Sequence, residues 1–570
     1  MNIKEIVQSL SAQAASRLSI VTRGRPRVVA GRCRRLLLWT DTFAPELEAA
    51  AVHCAAEPDM ERGLARLFAL LDLAYALVAI ERVSGVITLA AGHNNVHPLY
   101  FSNNKDGVAI RDALPCASPE ERLRHLDPDG FADFIARTIV AGPYELSTHT
   151  PTFDRRWRTV PPGQRLVLDP GGRVLRSGIA DRVFEGIHDA IGPPAHAIDD
   201  LREALDQRLL RLAQRGPVAS EFSGGIDSSI VRARCRARIA ARYRGGVTCR
   251  FPYVEFMRET EMQEAVLAQA PGPVAIVGHR GFLPFAALSE VPWHDAPTVA
   301  STAWGAFASA AGAARQAGAR VLLNGHGGDT LFRWHPAQMI RYALPADLAR
   351  WLPPRLCRDV EARAHAIAAG LNAGPGEGFG GLWHPGMFDP CHPTALVRRG
   401  DPGMDYVSGL AAREVLRAAA RLWLANPPRA PGVQKPFAHA AFRADLPEAL
   451  WRRPGKVDHL GIVYRGAIAA RQDILRVARR GSGVLDALGL PRKVFPAFAE
   501  AATRGVDSGN PMFSIMLAVL LWADQPRPDP VEHGATEQDW NLNTDIFKGN
   551  GGESTTSLSG SIPIYSTTKD

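Results

Sequence analysis

One stretch, Val218-Ala-Ser-Glu-Phe-Ser-Gly-Gly-Ile-Asp-Ser-Ser229, restricts what this chain can become more than any other. An apolar-leaning run that reads as a buried strand meets Ser223-Gly224-Gly225, and a helix opens after Asp227. Two consecutive glycines let the backbone curl with its N–H groups inward and no Cβ in the way. The helix start adds unpaired N–H donors and the positive end of its dipole, so the turn is shaped to hold a polyanion. Ser223, Ser228 and Ser229 supply hydroxyl donors, and Asp227 supplies a carboxylate able to hold Mg²⁺ against that polyanion. A bare Ser-Gly-Gly corner also occurs where nothing binds. The full S-G-G-I-D-S-S string is far more specific.

At 570 residues the chain has room for two domains and tails. Hydrophobic residues at 46% and charged residues at 22% place it among globular proteins rather than disordered ones. It has no long uncharged apolar run, and Met1-Asn-Ile-Lys-Glu-Ile lacks the layout of a signal peptide, so no membrane association and a cytoplasmic location are expected. The seven cysteines (33, 54, 116, 235, 249, 357 and 391) are scattered without CxxC pairs, which argues against a zinc site or a disulfide framework. The net charge of +8 comes from dispersed arginines that do not interleave with aromatics, so no nucleic-acid partner is expected.

Residues 1–185 read as an α+β domain with strands at Leu36–Trp39, Ala74–Ile80, Val86–Ala90 and Gly107–Ile110. A Gly/Pro-bearing linker follows over 186–200, with helical spacing from Ile198 to Gln214. From there strands alternate with helices: Gly246–Phe251, the helical Glu259–Ala270, Pro273–Val277, an alanine-rich helix near Trp304–Ala317, and Arg320–Asn324. That alternation predicts a parallel, doubly wound sheet with ligands at the strand carboxyl ends. The last of these strands runs into Gly325-His-Gly-Gly-Asp-Thr-Leu-Phe332. Beyond 335 the chain is mostly helical, as at Ala411–Leu424, and from Arg527 the shift to Asn, Gly, Ser and Thr predicts a disordered tail over 527–570.

Two loops carry a family resemblance. The Ser223 stretch resembles the pyrophosphate-binding loop of the ATP-pyrophosphatase enzymes, which activate a carboxylate or carbonyl as its adenylate. Gly325–Phe332 is similar to the G-E-G-x-D-E-L-F segment of asparagine synthetase, and Ala300-Ser301-Thr302 to a segment between the two loops. The resemblance implies ATP and Mg²⁺ as cofactors. It places nucleotide binding on Phe222, Ser223, Gly224, Gly225, Asp227, Ser228 and Ser229, with Gly325 and Gly327 in the second loop, and metal binding on Asp227 and Asp329. Lys435-Pro-Phe437 resembles the family's P-F-L-D segment, with His439 where the aspartate would stand. Arg452-Arg-Pro-Gly-Lys456 resembles its R-x-K segment, and implies that Lys456 neutralises charge developing on the acyl adenylate.

Toward the N-terminus, Asn95–Phe101 and Val160–Asp169 look like segments of class II glutaminase domains, which use an N-terminal cysteine to form a thioester. Here position 2 is Asn2 and the first cysteine is Cys33, so a scaffold without glutaminase activity is expected. The implied fold class is α/β: a degenerate glutaminase-like (Ntn-type) α+β domain over 1–185, then an ATP-pyrophosphatase-type doubly wound synthetase domain with helical additions over 201–526. The resemblance spans roughly residues 30–500. Relatives without the glutaminase take an amine from the substrate itself; they include the β-lactam synthetases and the lasso peptide cyclases, and the G-H-G-G-D form is most like the latter. It implies an ATP-dependent ligase that adenylates an Asp or Glu side chain of a precursor (core) peptide and closes a macrolactam with the N-terminal amine. A leader peptidase and a leader-binding protein are the implied partners. The alternatives are asparagine synthetase and a β-lactam synthetase-like small-molecule amide ligase. Two roles fit His326: accepting the amine proton, or shaping its loop.

Overall fold

The first part of the chain supplies strands β1 (Ser19–Thr22), β2 (Arg27–Ala30), β3 (Arg34–Thr40), β4 (Tyr75–Glu81), β5 (Ile87–Ala91), β6 (Tyr100–Asn104), β7 (Gly107–Arg111), β8 (Arg158–Thr159), β9 (Gln164–Leu168) and β10 (Val174–Ile179). These come from a computed structural model describing residues 19–525 and 538–541, except 23–25, 41–44, 95, 105–106, 116–117, 143–150, 181, 337, 374–378, 388–390, 428–431, 453–459 and 507–508. One antiparallel sheet runs β10-β9-β5-β4-β3-β2; β1, β7, β6 and β8 belong to a second. Alternate residues of β3 and β4 bury opposite faces. Leu37, Trp39, Val78 and Ile80 meet Ile20, Phe101 and Ile110 between the sheets. Leu36, Leu38 and Leu77 pack under helices Pro45–Ala56 and Met60–Leu70. Apolar material on both faces is why these strands read as unbroken apolar runs. Within the tail expected to be disordered, Gln538–Asn541 instead forms a strand antiparallel to β1; the rest of 527–570 lies outside the described residues.

The second part builds a wholly parallel sheet from β11 (Val218–Glu221), β12 (Tyr243–Cys249), β13 (Val274–Val277), β14 (Val321–Asn324) and β15 (Asp405–Ser408). Its order is β13-β12-β11-β14-β15. The winding reverses between β11 and β14, and a sheet of this kind opens a crevice at such a reversal, outside the strand carboxyl ends. Helices Pro194–Gln214, Ile226–Arg238 and Arg413–Ala425 cover the face bearing Val218, Val321, Leu323 and Val407. Helices Trp304–Gln316 and Cys391–Gly400 cover the face bearing Ala219, Val247, Leu322 and Tyr406. The helix expected from Ile198 starts earlier, at Pro194, because proline at the first helical position needs no N–H partner. The expected linker 186–200 is therefore helical over its last residues.

A third core joins distant parts of the sequence. Helix Pro128–Ala141 packs with helices Pro354–Ala373 and Pro511–Asp524, so the boundary expected near 185 is crossed by buried contacts. No helix among the described residues is long and apolar enough to cross a membrane.

A polar junction ties the antiparallel layers to the parallel sheet. Asp72 accepts from Arg208 Nη1 at 2.8 Å and from the Arg413 backbone N–H at 3.0 Å. Burial opposes its ionisation, but Arg208 and the N–H groups of Arg413 and Leu73 outweigh it and hold the carboxyl below its ordinary range. Asp72→Ala leaves the Arg208 guanidinium buried without its carboxylate. We expect a loss of roughly 3–5 kcal/mol, read as a lowered urea midpoint; a midpoint equal to the parent's would show that the junction bears no strain.

Candidate functional site

The first loop leaves β11 at Glu221 and enters helix Ile226–Arg238 through Gly225. Gly224 has φ +80°, and a Cβ there would lie 2.9 Å from the Glu259 carbonyl oxygen. Any side chain would thus be strained twice, by conformation and by contact. The serines organise the turn. Ser228 Oγ accepts from the Ser223 N–H at 3.2 Å and lies 3.0 Å from Ser223 Oγ, which in turn accepts from the Gly225 N–H. Ser229 Oγ is buried and makes no hydrogen bond among the described residues. Phe222 is buried beneath the turn, with the Arg232 guanidinium 5.1 Å from its ring centre.

The second loop leaves β14 and lies against the first. A Cβ on Gly325 would meet the Ser228 nitrogen at 2.8 Å, and one on Gly328 would meet the Asp227 carboxyl carbon at 2.2 Å. These two glycines let the loops touch through backbone. Gly327, at φ +88°, makes the turn into helix Gly328–Arg333. Asn324 Oδ1 accepts from the His326 N–H at 3.0 Å, and Ser408 Oγ donates to the His326 carbonyl at 2.8 Å. Ser408, at the end of β15, also accepts from the N–H groups of Leu410 and Ala411. Ser301 and Thr302, by contrast, donate to Thr298 and Val299 in their own turn, before helix Trp304–Gln316.

The sequence reading brought Asp227 and Asp329 to one place; it did not find the group between them. Lys435 Nζ donates to both Asp227 oxygens at 2.6 Å and lies 2.8 Å from Asp329 Oδ1. Lys435 is buried and precedes helix Pro436–Phe442, whose Phe437 lies against Trp423 with the rings tilted and 3.7 Å between their centres. Only one signal marked it beforehand, a lysine fixed against Pro436-Phe437. Lys456 lies outside the described residues.

Beside the loops opens a cavity of about 320 Å³. Phe222, Phe251, Phe256, Phe282 and Phe307 give it apolar walls, and Ser223, Gly225 and His326 stand at the loops. Glu221 faces into it and accepts from the Tyr406 hydroxyl at 3.0 Å. Burial pushes the Glu221 carboxyl from its ordinary 4.5 up to about 7, only partly offset by that hydrogen bond.

Two carboxylates reaching one cation from adjacent loops, with oxygen donors alone, fit Mg²⁺, which is commonly held by one or two carboxylates plus phosphate oxygens. The turn supplies N–H and hydroxyl donors for those phosphates, and the cavity beside it is of the size ligand pockets take. Residues 200–375 match the family model of asparagine synthase. No curated protein matches the chain. The matched stretch contains both loops and Glu221, while Lys435 and Tyr406 lie beyond it. This region is an asparagine synthetase-like domain of ATP-pyrophosphatase type, and members of that family are ATP-dependent, AMP-forming carbon–nitrogen ligases. The chain is accordingly an ATP-dependent amide-forming ligase.

Lys435→Met leaves the Asp227 carboxylate buried opposite Asp329 without a cation, at a cost of roughly 3 kcal/mol. The variant should melt lower than the parent in EDTA and recover more than the parent on adding Mg²⁺; equal responses would disprove the shared-cation arrangement. For Glu221, the folded state keeps between pH 4.5 and 7 a proton that the unfolded state has lost, so its contribution falls as pH rises through that window and is flat above it. Glu221→Gln should gain about 3 kcal/mol on the parent between pH 4.5 and 8 in urea titrations. A constant difference would mean that the carboxyl titrates normally.

Proposed function

We propose that the chain is a lasso peptide cyclase: it adenylates an Asp or Glu side chain of a precursor peptide and closes a macrolactam with the peptide's N-terminal amine. The observation that carries this reading is the Gly325-His-Gly-Gly-Asp329 loop, docked on the Ser223 turn with Asp329 and Asp227 on one ammonium and His326 on the cavity wall. A carboxylate resists an amine because oxide would have to leave. Attack of the carboxylate oxygen on the α-phosphorus breaks the bond to pyrophosphate and converts that oxygen into part of a good leaving group, AMP. The amine then attacks the acyl carbon, AMP departs, and the amine proton passes to a base.

In this reading the Ser223 turn grips the phosphates through backbone N–H groups and hydroxyls. Asp227 and Asp329 would hold Mg²⁺, which would supply positive charge to offset that of the phosphates. The base lies in the phenylalanine-walled cavity. His326 lines that cavity, where its imidazole can take the amine proton; Lys456 is assigned the charge growing on the adenylate. Holding both ends of one peptide makes the closure intramolecular. The facing antiparallel sheets, with helices outside one of them, support a glutaminase-like scaffold over 1–185. A leader peptidase and a leader-binding protein complete the proposed system in the cytoplasm.

Mass spectrometry tests this on the protein with MgATP, a precursor peptide encoded beside its gene and the matching protease. The product should weigh one water less than the leader-free peptide, and Asp227→Ala should abolish it. A peptide that stays linear while aspartate and ammonia yield AMP and asparagine would replace the proposal with small-molecule amide synthesis.

A further inference from the structure

Glu221 is hard to account for by packing. It ends β11 on the face that Ala219 shares with helix Trp304–Gln316, where the neighbouring residues are apolar. A leucine there would fill the wall without the cost of enclosing a carboxyl. The cavity keeps one end of Glu221 occupied, since Tyr406 donates to Oε1. Oε2 has no hydrogen-bond partner among the described residues, and Glu221 lines the cavity together with the phenylalanine rings and the Ser223 turn. Other ionisable groups on the wall are His326 from the loop after β14, Cys249 from β12 and Glu259 from helix Met257–Gln269.

We propose that Glu221 is a specificity-determining residue that reads the base of the bound nucleoside triphosphate, accepting a hydrogen bond from the amino group of a 6-aminopurine. This rests on the adenylation reading of the same site. With the phosphates on the Ser223 turn, a nucleoside fits the adjoining cavity, and its flat base suits the aromatic walls. Near neutral pH both forms of the Glu221 carboxyl are present, because burial brings its titration there. Each form accepts from an amino group. An oxo group is tolerated only by the neutral form, which can turn its O–H outward; against the carboxylate it meets an acceptor with an acceptor. The preference for amino over oxo is therefore built into the side chain. Tyr406 acts as the positioning residue that fixes which oxygen remains for the base.

Calorimetric titration of the full chain with Mg²⁺ and either ATP or ITP, its 6-oxo counterpart, tests this without turnover. The parent should favour ATP by roughly tenfold or more, the scale of one hydrogen bond to a charged group. Glu221→Leu should bring the two affinities within about threefold, mainly by weakening ATP. In Glu221→Gln the amide oxygen takes the Tyr406 hydroxyl and its NH₂ faces the base, so the preference should shift toward ITP. If Glu221→Leu does not fold, this isosteric variant carries the test. A parent that binds ATP, with the same ATP-to-ITP ratio in both variants, overturns the role of Glu221 and leaves adenylation standing. A parent that binds neither nucleotide overturns both.

Discussion

The arrangement of the site depends on one ammonium ion held between two carboxylates. Asp227 follows β11 and Asp329 follows β14, the neighbouring strands at which the sheet reverses its winding. Bringing two buried or half-buried carboxylates together costs repulsion and lost hydration. Lys435 offsets both, from a helix start more than a hundred residues further along the chain than Asp329. The polyanion site of the ligand-free protein is thus internally neutralised.

That ion contact is possible only because backbone meets backbone. Gly325 and Gly328 allow the second loop to lie on the first, Gly224 allows the first to lie under helix Met257–Gln269, and Asn324 and Ser408 peg the second loop to its own sheet. Each part is held by a neighbour that is itself held, so the two aspartates meet with little freedom left to lose on binding.

Much of this was legible in the sequence, for identifiable reasons. The Ser223 and Gly325 loops could be read because their constraints are local: glycines where no side chain fits, serines that bond within the turn. The strands and the parallel sheet could be read from apolar runs alternating with helical spacing. Lys435 could not, because its role depends on a contact across 208 positions. Glu221 could not be singled out either, because its place on the cavity wall depends on which face of the sheet it ends. Asn324 and Ser408 are ordinary residues in sequence and acquire a purpose only from β14 and β15 lying side by side. Tertiary contact decides such cases, and periodicity does not record it.

The shared core of helix Pro128–Ala141 and helix Pro511–Asp524 also has a meaning in time. Ala141 and Pro511 are 370 positions apart. At a synthesis rate of roughly 5–20 residues per second, the earlier helix waits on the order of 20 to 70 seconds for its partner. Throughout that interval Phe131, Phe134 and Ile135, all buried in the finished protein, have no completed core to enter. The nascent chain therefore leaves part of an apolar helix uncovered, even after helix Pro354–Ala373 has been made, until helix Pro511–Asp524 emerges.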